Sequence, residues 1–288
     1  MYKDYPFASN YLSLTGGRLH YIDEGTGPVI VMVHGNPTWS YYYRHLIAHF
    51  QQSHRVIALD HMGCGLSDKP PHYPYCLAQH IENLGRLLKH LGIDRFSLIV
   101  HDWGGAIGFG YAVQHLDQIE KITLMNTAAF RSTRLPWRIR LCRLPIIGEI
   151  LVRQLNGFAG PACFMAVEKK LSAETIKGYL APYNNWHNRV AIARFVEDIP
   201  MHQKHRSYAG LVAIENSLLL LRERNIPLLI LWGGKDFCFN DHFYKEWQSR
   251  FPEAESHYFK DGGHYVLEDK IVEILPILQA FLGGGEGR

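Results

Sequence analysis

Asp102 ends an apolar segment at a point where small residues follow, which is an unusual place for a carboxylate. Residues 97–112 read SLIVHDWGGAIGFGYA, with apolar residues before Asp102 and with Gly104 and Gly105 shortly after it. A tight turn from strand to helix that carries a reactive side chain needs small neighbours, because the helix passes close to the strand. Backbone N–H groups at the start of such a helix stabilise developing negative charge. We therefore predict that Asp102 is a nucleophile.

Two later segments supply partners for this carboxylate. An ionised Asp can displace a leaving group from carbon and form an ester, and the breakdown of that ester calls for a base held by an acid. The segment KDGGHYVLED contains His264, and LILWGGKDF contains Asp236. Taken alone, an Asp after an apolar run is commonly a helix N-cap, and one of 17 histidines is commonly structural. The order nucleophile, acid, histidine is that of the α/β-hydrolases, and it favours a catalytic triad.

The segment VHGNPTWSYYYRHLI, residues 33–47, predicts the donors for an anion. A His-Gly-x-Pro turn after a strand would place the backbone N–H of Asn36 opposite that of Trp103, and the two would form an anion-binding hole. The side chains of Asn36 and Trp103 also carry N–H groups, and an indole can only donate. The alternative is that Trp103 belongs to the core and that Pro37 is a turn residue with a cis peptide bond.

Strand-like and helix-like segments alternate along most of the chain. Short apolar runs bounded by turn residues predict buried strands at 28–35, 54–63, 96–102, 121–127, 227–236 and 255–264. Between them, residues 79–92 carry apolar side chains at helical spacing. This alternation predicts an α/β fold with a mostly parallel central sheet and helices on both of its faces.

The alternation stops between residues 128 and 220, which contain helical patterns and no convincing strand. Within this segment SAETIKGYLAPY begins like a capped helix, with Ser172 as the cap and Glu174 in the first turn. We predict a helical cap at 128–220, inserted between the two parts of an α/β-hydrolase core at 1–127 and 221–288. The last six residues, GGGEGR, are predicted to be a frayed tail.

Composition excludes several classes of protein. The 288 residues are 47% hydrophobic and 20% charged, with a formal net charge of +3, which is too weak and scattered for a nucleic-acid partner. The five cysteines form no Cys-x-x-Cys pair, and we expect reduced thiols, no metal site and no cofactor. No secretory signal and no run of about 18 apolar residues is present, so we expect a cytoplasmic protein.

A basic segment precedes an apolar helix inside the predicted cap. RSTRLPWRIRLCR carries five arginines and is followed by LPIIGEILV; the arginines are Arg131, Arg134, Arg138, Arg140 and Arg143. Basic residues beside an apolar helix can mark a surface that meets a membrane or a partner protein. The alternative is an ordinary solvated helix face above a substrate pocket.

Five motifs together resemble the haloalkane dehalogenase branch of the α/β-hydrolase superfamily over nearly the whole chain. They are HGNPTWSYYYR, DHMGCGLSDKP, VHDWGGAIGFGYA, LLILWGGKD and GGHYVLED. The resemblance implies that Asp102 is the nucleophile, His264 the base, Asp236 its orienting acid, and Asn36 with Trp103 the pair that binds the leaving group. Some dehalogenases carry a Glu after the strand that ends near Asn126, but here that segment reads MNTAAF, which leaves Asp236 as the acid.

The cap segments NTAAF and GYLAPYNNWHNRVAIARFVEDIP, with DHMGCGLSDKP in the core, resemble more closely the β-lactone decarboxylases of bacterial long-chain olefin biosynthesis. That resemblance implies decarboxylation of cis-3,4-dialkyl-oxetan-2-ones to cis-alkenes and CO₂. It also implies an apolar small-molecule substrate with two long alkyl chains. Such a substrate would account for an apolar, basic-edged cap that makes peripheral contact with a membrane or with partner enzymes in an olefin-pathway assembly.

Three alternatives remain at this level. The first is a haloalkane dehalogenase, which would use the same Asp to displace halide. The second is an epoxide hydrolase, which would need acid tyrosines from the cap, and Tyr179 and Tyr183 are available. The third is a binding protein of the same fold without catalysis, although such proteins usually lose a triad member and this chain retains all three.

Overall fold

The computed structural model describes residues 2–283, and its centre is an eight-stranded sheet. The strand order is β1-β2-β4-β3-β5-β6-β7-β8, with β1, β2 and β4 paired antiparallel and every other pair parallel. The strands are β1 (Asn10–Leu14), β2 (Gly17–Glu24), β3 (Val29–Val33), β4 (Arg55–Leu59), β5 (Phe96–Asp102), β6 (Ile119–Thr127), β7 (Leu228–Gly233) and β8 (Glu255–Phe259). The chain therefore has the α/β-hydrolase fold that the sequence predicts.

Eleven α-helices accompany this sheet within residues 2–283. They are α1 (Arg44–Phe50), α2 (Leu77–His90), α3 (Trp103–Ala112), α4 (Trp137–Cys142), α5 (Ile147–Glu149), α6 (Ala159–Met165), α7 (Ala173–Leu180), α8 (Val190–Glu197), α9 (Tyr208–Glu223), α10 (Asp241–Arg250) and α11 (Val266–Gly283). A π-helical turn, Ile150–Gln154, follows α5. None of the helices in this part of the chain is long and apolar enough to span a membrane.

The sheet is covered on both faces, which explains the continuous hydrophobicity of its strands. In β3, Val31 and Val33 pack into one hydrophobic core while Ile30 and Met32 pack into the other. Successive side chains of a strand point to opposite faces, so a strand buried on both sides must be apolar at every position. All six predicted strands are present, and β5 spans residues 96–102 as predicted.

The sequence patterns did not predict the first two strands, β1 and β2. In β1 partly buried and exposed residues alternate, and β1 pairs antiparallel with β2 at the edge of the sheet. An edge strand has one neighbour and needs no continuous apolar run, so its signal is weak.

The residues between β6 and β7 contain helices α4 to α9. Helix α7 begins as predicted: the side chain of Ser172 accepts a hydrogen bond from the backbone N–H of Thr175. This bond satisfies one of the free donors at the helix start. Of the predicted tail GGGEGR, Gly283 ends α11 and the other five residues lie outside the described residues.

Candidate active site

Asp102 occupies the sharp corner between β5 and α3. Its φ of 51° is in a region that favours glycine, so the backbone is strained at this residue. A Cβ on Gly104 would lie 1.9 Å from the carbonyl oxygen of Val33, and one on Gly105 would lie 1.8 Å from Oγ1 of Thr127. Both glycines are therefore required for the helix to approach the sheet so closely. The corner presents the Asp102 side chain at the carboxyl ends of the strands, where open α/β sheets bind ligands.

Two backbone N–H groups point at this carboxylate. The N–H of Asn36 donates to Oδ1 of Asp102 over 2.6 Å, and the backbone N–H of Trp103, the next residue in the chain, lies close enough to this carboxylate to act on its pKa in the lowering direction. A Cβ on Gly35 would lie 2.1 Å from Oδ1 of Asp102, so only glycine permits this approach. The Asn36–Pro37 peptide bond is cis, as considered for the turn. Both N–H groups thus lie beside the Asp102 carboxylate, at the place where the turn and the corner predict an anion-binding hole.

His264 lies between the two carboxylates. Its Nδ1 atom is 2.6 Å from Oδ2 of Asp236, and its Nε2 atom is 3.7 Å from Oδ2 of Asp102. Burial acts to lower the pKa of His264, whereas the neighbouring Asp236 carboxylate acts to raise it. The effect of the carboxylate is the stronger of the two, so the pKa of His264 lies above its usual value. The contact with Asp236 therefore favours the imidazolium form of His264.

Burial dominates the electrostatics of Asp102. It raises the pKa of this carboxyl above the usual range, whereas His264 and the two backbone N–H groups act in the opposite direction. A desolvated carboxylate is a stronger nucleophile than a hydrated one, since no water shell has to be displaced before attack. The surroundings of Asp102 thus suit nucleophilic attack inside a dry cavity.

Asn126 is a further residue of the site that sequence reasoning did not assign. Its Nδ2 donates to Oδ2 of Asp236 over 3.0 Å, and its Oδ1 accepts from the backbone N–H of Gly233 over 2.8 Å. The other oxygen of Asp236, Oδ1, accepts from the backbone N–H of Cys238 over 2.6 Å. Both carboxylate oxygens of Asp236 therefore accept hydrogen bonds, which fix the orientation of this side chain. The signal was the polar residue at the end of β6, but its partner lies 110 positions later in the chain.

The side chains of Asn36 and Trp103 differ in how free they are to bind a ligand. Nδ2 of Asn36 donates to the carbonyl oxygen of Ile192 in α8 over 3.2 Å, and its buried Oδ1 has no partner among the described residues. The indole of Trp103 packs against Phe195 at 5.4 Å between ring centroids, and no hydrogen bond from its N–H is found within residues 2–283. The structure thus brings both predicted donors to the site, with Asn36 already engaged in one bond.

A cavity of about 430 Å³ opens above these residues. Its floor contains Asn36, Asp102, Trp103 and His264, which are four of the five predicted site residues. Its walls come largely from the helices between β6 and β7, and they include Leu135, Ile139, Leu151, Phe158, Ala162 and Met165. An apolar cavity with a few polar groups at one end is typical of a site for an apolar small molecule. Within residues 2–283 no cluster of three or more His, Cys, Asp or Glu side chains could hold a metal ion.

The two tyrosines considered for an epoxide hydrolase do not line this cavity. The hydroxyl of Tyr179 donates to Oε1 of Glu268, and that of Tyr183 donates to the carbonyl oxygen of Thr38 over 3.1 Å. Neither hydroxyl faces Asp102, so neither can protonate a ring oxygen of a substrate attacked there. The structure therefore removes the residues on which this alternative depended.

Known proteins share this architecture and much of the sequence. Residues 28–145 match a family model described as "alpha/beta hydrolase fold". The chain is 41% identical to the cis-3-alkyl-4-alkyloxetan-2-one decarboxylase of Shewanella oneidensis, over 96% of this chain and 89% of that protein. It is 40% identical to the protein of the same name from Xanthomonas campestris, over 98% of each.

A solved structure gives the same result for the fold. The crystal structure of the haloalkane dehalogenase DatA from Agrobacterium tumefaciens C58 superposes with a TM-score of 0.86, at 26% identity over 96% of each chain. Because the two relatives share about two fifths of its residues over nearly its whole length, the chain belongs to the cis-3-alkyl-4-alkyloxetan-2-one decarboxylase family of α/β-hydrolases.

Proposed function

We propose that this protein decarboxylates cis-3,4-dialkyl-oxetan-2-ones to cis-alkenes and CO₂. The observation that carries the proposal is the position of Asp102, which touches the Asn36 N–H and faces His264 on the floor of an apolar cavity. Two relatives that are named for this activity match the chain at 41% and 40% identity. The apolar walls suit two alkyl chains, which have no polar groups to satisfy.

In the first step a carboxylate oxygen of Asp102 attacks C4 of the lactone ring, the alkyl-bearing carbon that is bonded to the ring oxygen. A C–O bond forms between Asp102 and C4, and the bond between C4 and the ring oxygen breaks. The ring oxygen keeps the electron pair of that bond and becomes part of a free carboxylate on the neighbouring carbon, C3. The nucleophile needs no deprotonation, since an Asp is ionised at neutral pH. The indole N–H of Trp103 is free to donate to the new carboxylate, whereas the backbone N–H groups remain on Asp102.

In the second step the new carboxylate leaves as CO₂. The electron pair of the broken C–C bond forms the alkene, and the C–O bond to Asp102 breaks to return the Asp102 carboxylate. Inversion in the first step followed by anti elimination in the second converts a cis-lactone into a cis-alkene. No water is consumed, so the imidazolium form of His264 has the role of stabilising the Asp102 carboxylate as it departs.

A haloalkane dehalogenase is the second candidate, and Trp103 favours it because an indole N–H at the cavity wall can hold a halide. In that reaction the same Asp102 would displace halide, and His264 would activate a water that attacks the carboxyl carbon of the ester. The two reactions thus differ in whether an oxygen of Asp102 is exchanged with water.

Labelled water separates the two candidates. The protein is incubated in H₂¹⁸O with a cis-dialkyl-β-lactone or with a 1-bromoalkane. The mass of the peptide that contains Asp102 is then measured by mass spectrometry. We expect alkene from the lactone without ¹⁸O in Asp102, and no bromide release. Rapid bromide release with ¹⁸O in Asp102 and no alkene would establish the dehalogenase, and hydrolysis of the lactone to a hydroxy acid would also overturn the proposal.

A substitution checks the nucleophile itself. Asp102→Ala should lower alkene formation by at least about 10³-fold, because nothing else in the site can form the ester. Asp94→Ala removes an exposed carboxylate in the loop before β5 and serves as the matched control. Retained activity in Asp102→Ala, with the fold checked by circular dichroism, would contradict the assignment.

We further propose that the protein works in the cytoplasm, as one step of an olefin-forming sequence. The five cysteines, which form no disulfide in the structure, support the location, and the two relatives, which are named as decarboxylases of dialkyl-oxetanones, support the olefin-forming step. Cell fractionation tests the location, and the proposal fails if the protein is found outside the cytoplasmic membrane.

A further inference from the structure

The structure exposes an unusual number of large apolar side chains on one part of the cap. Within residues 2–283 fifteen such side chains are exposed, and nine of them lie between residues 137 and 165. We call these nine the cap face: Trp137, Leu141, Leu144, Ile146, Ile147, Ile150, Leu155, Phe164 and Met165. Single exposed apolar residues are normal on a protein surface, but a concentrated group marks a surface that binds something.

The charge around the cap face is positive. Arg131, Arg134, Arg138 and Arg140 are exposed, and the last three make no salt bridge in the described part of the chain. Residues 128–165 contain one acidic residue, Glu149, which pairs with Arg153 and Arg194. The free charge on this side of the cap is therefore cationic.

Ile146 stands at the most exposed point of the cap face. Its side chain is 76% exposed, and its φ of 66° is a conformation that a β-branched residue rarely adopts. A glycine or asparagine would fit this backbone with less strain and would be better solvated. An isoleucine that is unfavourable on both counts in water indicates that its side chain has an apolar environment in the working protein.

The cap face borders the substrate cavity. Trp137, Leu141 and Met165 are exposed and also line the cavity, as do the cationic side chains of Arg134 and Arg138. The guanidinium of Arg138 lies 5.2 Å from the ring centre of Trp137. An aromatic ring beside a cation at such a rim is the combination found where proteins meet the headgroup region of a bilayer.

We propose that the cap face docks on an anionic lipid bilayer, with Ile146 among the acyl chains, the arginines on the phosphates, and the cavity opening towards the lipid. Charge complementarity selects this occupant: apolar side chains ringed by free arginines match a layer of phosphates above hydrocarbon. A second copy of the chain fits less well, since a two-fold dimer would set the same arginines against each other. Docking would let an alkyl substrate enter, and a hydrocarbon leave, without crossing water.

Vesicle flotation tests the docking. The full-length protein is mixed with vesicles of phosphatidylcholine alone or of phosphatidylcholine and phosphatidylglycerol in equal parts, and the bound fraction is measured. We expect partitioning to the anionic vesicles to exceed that to the neutral vesicles by at least about tenfold, and to fall in 0.5 M salt. Protein that stays unbound with anionic vesicles at low salt would overturn the proposal.

Matched variants locate the contact. Ile146→Asp with Leu155→Asp should lower binding to anionic vesicles by at least about tenfold, because neither charge can enter the hydrocarbon. Val272→Asp is the control, because Val272 is 78% exposed on α11 and lies outside the cap face. Equal loss of binding in Val272→Asp and in the double variant would contradict the proposal.

A second set of variants separates charge from apolar contact. Replacing Arg134, Arg138 and Arg140 together by Gln should remove the preference for anionic vesicles, whereas replacing the exposed Lys89, Lys245 and Lys260 by Gln should keep it. If the double variant instead changes only the oligomeric state in ultracentrifugation, or only abolishes binding to another enzyme, the cap face is a protein interface and the proposal is wrong. Vesicle binding requires no turnover, so it fails or succeeds independently of the proposed reaction.

Discussion

Asn126 donates a hydrogen bond from Nδ2 to Oδ2 of Asp236 over 3.0 Å, the same oxygen that lies 2.6 Å from Nδ1 of His264. The residue at the end of β6 thus holds the acid that follows β7. Because Asn126 is also bonded to the backbone of Gly233 through both its oxygen and its nitrogen, its amide cannot turn away. Asn126 is therefore a positioning residue that acts through Asp236.

Removing this amide should weaken the hydrogen bond between Asp236 and His264. Asn126→Ala is expected to lower kcat by about tenfold to a hundredfold, with little change in KM. A well-placed acid or base contributes about 10²–10⁴-fold to the rate, and the loss of a residue that only positions it should remove part of that contribution. The contact with Asp236 raises the pKa of His264, so its loss should move the corresponding limb of the pH–rate profile to lower pH. Asn83→Ala, at a buried asparagine of α2, is the control and should leave the profile unchanged. An unaltered profile in Asn126→Ala would refute the assignment.

His80 should make the protein sensitive to acid. It is fully buried on α2, neither ring nitrogen has a partner among the described residues, and burial lowers its pKa from 6.5 to about 3. Its ring stacks on Phe195 with 4.5 Å between centroids. The unfolded chain takes up a proton near pH 6.5 and the folded chain does not, so stability is present above that pH and is lost as the pH falls towards 3.

The size of this effect can be measured by urea unfolding at pH 7.5 and pH 5. His80 should lower the free energy of unfolding at pH 5 by about 2 kcal/mol, and His80→Phe should remove that part of the pH dependence. His90→Phe changes an exposed histidine of the same helix and should behave like the parent protein. The explanation is wrong if His80→Phe and the parent lose the same amount of stability.

The buried ion pair between Arg44 and Glu268 should be sensitive to loss of one partner. Nη1 and Nη2 of Arg44 lie 2.5 and 2.8 Å from the two carboxylate oxygens of Glu268, and Tyr179 donates to the same carboxylate. Arg44→Met would leave a buried negative charge, and we expect it to cost about 3–5 kcal/mol of unfolding free energy.

The double variant of Arg44→Met and Glu268→Gln supplies the control. It removes both charges and keeps an acceptor for Tyr179, so it should cost less than Arg44→Met alone. Equal costs in chemical denaturation would show that packing around Arg44, and not charge, accounts for the loss.

Filling the cavity should shorten the substrates that the protein accepts. Ala162 on α6 lines the cavity, and Ala162→Phe would occupy space that an alkyl chain needs. Loss of contact with two methylene groups corresponds to about a tenfold fall in kcat/KM, and we expect it for long-chain lactones but not for short ones. Ala48→Phe makes the same change at an exposed position of α1 outside the cavity and should leave the chain-length profile unchanged. A uniform fall for all lengths in Ala162→Phe would argue against the cavity as the alkyl site.

Much of the core could be predicted because its signals are local. Strand β5 and the corner at Asp102 follow from an apolar run that meets Gly104 and Gly105, and every residue involved lies within a few positions of the others. Ser172 likewise caps a helix that begins at the next residue. The edge strand β1 was missed because one face of such a strand needs no apolar side chains, and β2, GRLHYIDE, was missed because polar and charged residues interrupt its apolar run.

The sequence alone determined the fold class and the order of Asp102, Asp236 and His264, since buried strands and tight corners leave a local pattern. Only the tertiary structure decided which side chains meet. In the folded chain Asn126 donates a hydrogen bond to Asp236, the Asn36 amide donates to Ile192, and the Tyr179 hydroxyl donates to Glu268. These contacts join residues between 89 and 156 positions apart, across elements whose distance is set by the packing of the helices on the sheet. No local pattern encodes such a distance, because it arises only when the whole core has closed.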